Sequence, residues 1–125
     1  DDFGVVINPI TLAGQIQGGV VQGIGQALYE HAAFDEQGQL LSGSLMDYTL
    51  PRADNLPFIN VHFRSTPATN NLLKIKGSGQ AGVIGATQAV ISALTDALGI
   101  THIDMPATPA VIWRAIQTKA EQESE

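Results

Sequence analysis

The chain has 125 residues, of which 44% are hydrophobic, and this is enough for one domain with a core. The net charge is −6, and the chain has only six basic residues. These form no basic stripe, so the sequence argues against nucleic-acid binding. It contains no cysteine, which excludes disulfides and iron–sulfur clusters held by this chain, and no apolar run approaches the ~18 residues of a membrane span.

The first forty residues predict a short strand, a long helix and a hairpin. Residues 3–7 favour a strand ended by Asn8-Pro9, and the start without Met is typical of a piece cut from a longer chain. From Thr11 to Tyr29 an apolar residue recurs every fourth position, which predicts a helix. Five glycines lie inside it, each costing roughly 1 kcal/mol relative to alanine. Close packing must offset that cost, or a glycine loop breaks the helix. A turn sequence at 34–40 predicts the hairpin.

The later strands are predicted from apolar runs and from period-two alternation. They lie at 46–51, 58–63, 72–76 and, as a short one, 100–103.

Two further helices are predicted in the second half of the chain. An apolar face runs through Val83–Leu98, with Gly99 as a C-cap, and Thr108-Pro109 begins the last helix. We therefore predict an α+β fold in which two or three helices pack on a small mixed or antiparallel sheet. Residues 1–120 would form a single domain, and 121–125 an acidic tail.

The most informative motif is Lys-Gly-Ser-Gly-Gln-Ala-Gly at 76–82, which precedes a predicted helix. Its glycines let the backbone approach a ligand, and the helix directs free N–H groups back toward it. The spacing Gly77-x-Gly79-x-x-Gly82 also matches a dinucleotide fingerprint, with Asp104 where a ribose-binding acid belongs. Only 21 residues follow Asp104, however, and the preceding part predicts hairpins, so a small dinucleotide-binding domain is the weakest hypothesis.

The remaining polar residues suggest no metal site and no nucleophile. The three histidines, His31, His62 and His102, are far apart in sequence and have no cysteine to join them, so we predict no metal ligands. Ser78 does not fit a nucleophile elbow.

Five ordered runs of the sequence together resemble the C-terminal end of the molybdopterin-binding large subunit of molybdenum hydroxylases. This is the family of xanthine dehydrogenase, aldehyde oxidase and carbon monoxide dehydrogenase. The runs are 7–9, 14–28, 43–48 with 51–54, 76–82, and 102–109 with 113–116. Several motifs in order are far more specific than one glycine pattern, and the resemblance covers Asp1 to Gln117. It implies that the predicted domain is part of a larger molybdopterin-binding domain.

The resemblance implies a cofactor site that this chain shares with other segments. Gln15 would hydrogen-bond the pterin, and the loop at Gly77, Ser78 and Gly79 would pass close to the molybdenum. The full-length protein would bind molybdopterin, in its dinucleotide form, whereas no cofactor is expected for the isolated chain. Its partners would be the remainder of the large subunit and subunits or domains that carry iron–sulfur clusters and FAD. A cytoplasmic location is expected, and the composition is also compatible with the periplasm.

The sequence departs from the family at the position that matters most for catalysis. The family hydroxylates aldehydes or N-heterocycles with oxygen from water, and a glutamate of the glycine loop acts as the general base. Here that position is Gln80, whose amide does not take a proton at neutral pH. Gln17 likewise stands where the family often has His or Glu. Two main hypotheses follow: a molybdenum hydroxylase segment with disabled or altered turnover, or a non-catalytic interaction or scaffold module. The isolated chain is expected to be inactive.

Overall fold

The computed structural model describes residues 1–124, with side-chain burial through residue 123. It contains three α-helices, α1 (Pro9–Leu28), α2 (Val83–Leu98) and α3 (Pro109–Ser124), and a 3₁₀ turn at Ala53–Asn55. The side chain of Asn8 caps α1, accepting hydrogen bonds from the N–H groups of Ile10 and Thr11 at 3.1 Å. The predicted Asn-Pro turn is thus a helix start, with proline at the first helical position.

The glycines of α1 allow a close contact with α2, and α1 is unbroken. A Cβ added at Gly19 would lie 2.1 Å from the carbonyl oxygen of Ala81, and one at Gly23 would lie 2.7 Å from the Cβ of Ala86. The buried hydroxyl of Thr87 donates to the carbonyl of Gly23 at 3.4 Å. The predicted helix is confirmed, and the alternative of a helix broken by a glycine loop is wrong.

Hydrogen bonds join the ends of the helices. Gly99 ends α2 in the left-handed conformation, with φ of 61°, as predicted. The ammonium group of Lys119 on α3 donates to the carbonyl of Leu98 at 2.8 Å. The N–H of Ala107 donates to the carbonyl of Ala27 at 2.7 Å, which ties the start of α3 to the end of α1.

The predicted sheet is absent from residues 1–124, so the α+β prediction of helices packed on a sheet is wrong. Two isolated antiparallel bridges remain, Gly4 with Ile75 and Phe34 with Leu40. The first joins two predicted strands, 3–7 and 72–76. Positive φ values of 64° at Gly4 and 57° at Lys74 bend both segments, so their pairing does not extend. The second bridge closes the predicted hairpin.

The other predicted strands have no partner within the described part of the chain. Residues 44–48 form turns, in which the N–H of Tyr48 donates to the carbonyl of Ser44 at 2.8 Å. Residues 58–63 and 100–103 belong to no ladder. Strand propensity alone does not make a sheet, because each backbone edge needs a partner. In addition, α3 continues through Ser124, so most of the predicted acidic tail is helical, and residue 125 lies outside the described residues.

Candidate functional site

The candidate site lies where the N-terminal segment, the start of α1 and the glycine loop (76–82) meet. A cleft of about 390 Å³ opens there. Its lining includes Phe3, Val5, Ile7, Thr11, Gln15 and Ser78. The N-terminal segment thus supplies mostly apolar side chains, whereas α1 and the loop add the polar side chains of Thr11, Gln15 and Ser78.

The side chain of Gln15 joins α1 to the glycine loop. Its Nε2 donates to the carbonyl of Gly79 at 2.5 Å, across 64 positions of sequence. No protein group within residues 1–124 donates to the other end of the amide, Oε1, which stays available as an acceptor. Nothing lies within 4 Å of a Cβ added at Gly77 or Gly79, so the loop presents an open face. The half-buried Ser78 also lines the cleft.

Two aspartates at the start of the chain hold the loop at both ends. The carboxylate of Asp2 contacts the ammonium of Lys76 at 2.5 Å and accepts from the N–H groups of Gly4 and Thr66 at 3.0 and 3.1 Å. The hydrogen bond from Lys76, followed by the two N–H groups, holds the pKa of Asp2 well below its usual range. Asp1 accepts from the N–H of Gly82 at 3.3 Å. The sequence analysis missed these anchors because their partners, Thr66, Lys76 and Gly82, are distant in sequence.

Gln80 lines a second, smaller cleft of about 230 Å³, which shares Phe3 and Ser78 with the first. Asp1, Gly77, Gly79 and Ile84 are among the residues that line it. The side chain of Gln80 is exposed and has no hydrogen-bond partner within the described residues. An amide there can donate one hydrogen bond and accept another, but it does not remove a proton at neutral pH.

Gln17 lies outside both clefts. Its Nε2 donates to the carbonyl of Ile59 at 2.9 Å. Together with Val21 and Phe58, Gln17 lines a separate groove. The structure therefore brings together Gln15 and the loop residues 77–79, whereas Gln17 serves a different contact.

The dinucleotide-binding hypothesis does not fit this arrangement. Its fold requires parallel strands, of which residues 1–124 contain none. Asp104 lines a different cleft, together with Thr87 and Ile91, and contacts His102 at 2.9 Å. The described residues hold no group of three His, Cys, Asp or Glu side chains placed to share a metal ion, so this pair has no third potential metal ligand beside it. None of the described helices is both long and apolar enough to cross a membrane.

Comparison with known proteins identifies the class to which these features belong. Residues 1–57, which include α1 and Gln15, match the family model of the molybdopterin cofactor-binding domain. The nicotine 6-hydroxylase large subunit of Paenarthrobacter nicotinovorans is 42% identical over 92% of this chain, and the match covers 14% of that protein. The carbon monoxide dehydrogenase large chain of Hydrogenophaga pseudoflava is 36% identical over 94% of this chain and 15% of its own length.

The fold also matches a solved structure. Quinoline 2-oxidoreductase from Pseudomonas putida 86 superposes with a TM-score of 0.85 at 39% identity, over 93% of this chain and 15% of that one. These matches place the chain in the molybdenum hydroxylase family, as a relative of a segment of its molybdopterin-binding large subunits. The chain spans about a seventh of the length of the relatives it matches.

Proposed function

We propose that this chain acts within a molybdopterin-binding large subunit that hydroxylates an aldehyde or an N-heterocycle with oxygen derived from water. The observation that carries the proposal is the hydrogen bond from Gln15 to Gly79. It joins two motifs, 64 residues apart in sequence, at the rim of one cleft. The named relatives, which include hydroxylases and dehydrogenases, support the class of reaction.

The residues around the cleft fit a pterin. A pterin ring carries amide-type N–H and C=O groups, and Gln15 offers a free amide oxygen while Ser78 offers a hydroxyl. The open faces of Gly77 and Gly79 leave room for a bulky group against the loop backbone. Gln15, Gly77, Ser78 and Gly79 are therefore the residues that we assign to cofactor binding. The cofactor, which we propose to be the dinucleotide form, would supply two-electron redox chemistry at molybdenum when bound.

The role that we assign to Gln80 is to orient a reacting group rather than to deprotonate it. Its side chain is exposed at the loop and has no partner within the described residues, so it is free to hydrogen-bond a substrate or a water. Because a general base contributes typically ~10²–10⁴-fold, an amide at this position predicts slow turnover. The same residue favours a second candidate function, a non-catalytic interaction or scaffold module of the same family.

The isolated chain is proposed to be inactive and to bind no cofactor, since the matched relatives are about seven times longer. Its proposed partners are the remainder of the large subunit and components that carry iron–sulfur clusters and FAD. We also propose a cytoplasmic location.

Metal analysis of the natural full-length large subunit tests the function. We expect stoichiometric molybdenum, a pterin released on denaturation, and aldehyde-dependent reduction of a dye at a low rate. A subunit that is purified folded, without molybdenum and without dye reduction, would overturn the catalytic proposal in favour of the scaffold.

A further inference from the structure

Residues 58–63, Phe-Ile-Asn-Val-His-Phe, have the side-chain pattern of a strand but belong to no sheet of the described structure. The side chains of Ile59 and Val61 are half-buried, whereas Phe58, Asn60 and His62 are exposed. Phe58 is 84% exposed, although aromatic residues of strands usually pack against a neighbour. The segment is therefore covered on one face only.

The backbone of this segment is unpaired. Within residues 1–124, no N–H or C=O group of 58–63 bonds to another backbone group. The single backbone contact is with a side chain, because the carbonyl of Ile59 accepts from the amide of Gln17 on α1 at 2.9 Å. A lone extended segment is not stable in water, since strands gain stability from pairing with a neighbour and from packing.

The total accessible surface area of the chain is larger than that of a compact protein of the same mass, which indicates that a large partner covers part of the chain. A compact protein of 13.2 kDa exposes about 6,400 Å², whereas this chain exposes 9039 Å². The excess is about three times the ~800 Å² that each partner buries in a standard protein complex, which is typical of permanent contacts. The relatives that match this chain carry about six-sevenths of their length outside the matched segment, and this is the natural source of such a partner.

We propose that Phe58–Phe63 is a β-strand in the intact large subunit, paired along its outer edge with a strand from the part of that subunit outside these 125 residues. The proposal rests on the proposed function only in that both assign the chain to a large subunit. The partner adds its strand by main-chain hydrogen bonds, and its apolar side chains cover Phe58. Gln17 holds the opposite edge against α1.

The position of Gln17 defines which edge is free. In an extended strand, the N–H and C=O groups of one residue point to the same edge, and those of the next residue to the other. The carbonyl of Ile59 faces Gln17, so the backbone groups of Ile59 and Val61 lie on the α1 side. The N–H groups of Asn60 and His62 then lie on the outer edge and donate to the added strand.

Residue-resolved amide hydrogen exchange of the full-length large subunit tests this assignment. The N–H groups of Asn60 and His62 are expected to exchange roughly 100-fold more slowly than an unstructured reference peptide, because exchange requires opening of the paired strand. Asn60→Pro removes one donor and is expected to abolish the protection at His62. The matched control, Asn60→Ala, keeps the N–H and is expected to retain it.

Exchange at the intrinsic rate at both positions in the wild-type subunit would overturn the proposal, whatever the variants do. Protection that disappears on dilution of a dimer would also overturn it, since the partner would then be a second copy of the chain. Protection in a subunit that contains no molybdenum would support the strand while the proposed activity fails. An unprotected segment in a molybdenum-loaded, active enzyme would overturn the strand and leave the function intact.

Discussion

At the scale of single residues, the proposed function places an amide, Gln80, at the position of a general base. Gln15 on α1 and Gln80 on the glycine loop are both amides, yet the roles proposed for them make different demands. Gln15 needs only to donate and accept hydrogen bonds, which an amide does well. If position 80 is that of the general base, as proposed above, proton removal there needs a carboxylate, and one side chain then sets the expected limit on turnover.

Gln80→Glu in the full-length enzyme is therefore expected to raise kcat by at least about tenfold, because a positioned carboxylate restores general-base catalysis. The measurement is steady-state aldehyde-dependent dye reduction, corrected for molybdenum content. Gln117→Glu is the matched control: the same change is made at an exposed amide on α3 outside both clefts, and no gain is expected. Equal rates for Gln80→Glu and the wild type would contradict the assignment of Gln80 to the position of the base.

Asp2 anchors the glycine loop through its charge. The ammonium of Lys76 holds the pKa of Asp2 below its usual value, so the folded state favours the ionised carboxylate. The resulting stabilisation is fully present above the unfolded pKa of about 3.9 and is lost as the pH falls from there toward the folded pKa. At neutral pH only a substitution removes it.

Asp2→Asn is expected to expose the Lys76–Gly77 bond and to increase its cleavage by trypsin several-fold at neutral pH, because Lys76 loses its ion pair. Native-state proteolysis of the large subunit, followed by mass spectrometry, measures the rate at this bond. Asp104→Asn removes the same charge from a pair with His102 and is expected to leave the cleavage unchanged. An unchanged rate in Asp2→Asn would show that the loop does not depend on this anchor.

At the scale of elements, glycines decide how closely α1 and α2 approach each other and where the loop lies. Gly19 faces the carbonyl of Ala81 at the end of the loop, whereas its neighbour Gly18 has nothing within 4 Å of an added Cβ. The two positions differ in contact but share helix and sequence context, so they form a natural pair for substitution.

Gly19→Ala is expected to lower the free energy of local opening of α1 and α2 by about 1–3 kcal/mol, because the new methyl overlaps the loop backbone. Gly18→Ala is expected to raise it by up to about 1 kcal/mol through helix propensity. Hydrogen exchange of the two helices in the large subunit measures both changes. Similar effects of the two substitutions would contradict the contact between Gly19 and Ala81.

The helices were predictable from the sequence because their determinants are local. Periodicity, the Asn8-Pro9 start and the Gly99 end all lie within the helices or next to them. Whether a sheet forms could not be predicted from the sequence, because a strand such as 58–63 needs a partner that its own residues do not specify. The resemblance assigned Gln15 and the loop to one cofactor site, but the contact between them was not predicted. The anchoring aspartates were missed because their partners are distant in sequence.

At the scale of the whole molecule, the buried core is small for a chain of this length. The buried hydrophobic residues are six, four of them alanines, and none of the large side chains is fully buried within residues 1–123. Leu72, Met46 and Ile10 are examples of large apolar side chains that are more than four-fifths exposed. Burial of apolar surface is the main favourable contribution to folding, so this chain gains little of it by itself.

The isolated 125-residue chain is therefore expected to bind a hydrophobic dye such as ANS and to show no cooperative thermal transition. Adding the remainder of the large subunit in trans is expected to suppress the dye signal and to produce a cooperative transition, because the excess of exposed surface becomes covered. The control is the same chain with Leu72→Ser, Met46→Ser and Ile10→Ser, which keeps α1 and α2 but weakens association by removing apolar contacts. A monomeric isolated chain that unfolds cooperatively and leaves ANS unbound would show that its helices suffice as a core. The exposed apolar side chains would then need another explanation than cover by the rest of the subunit.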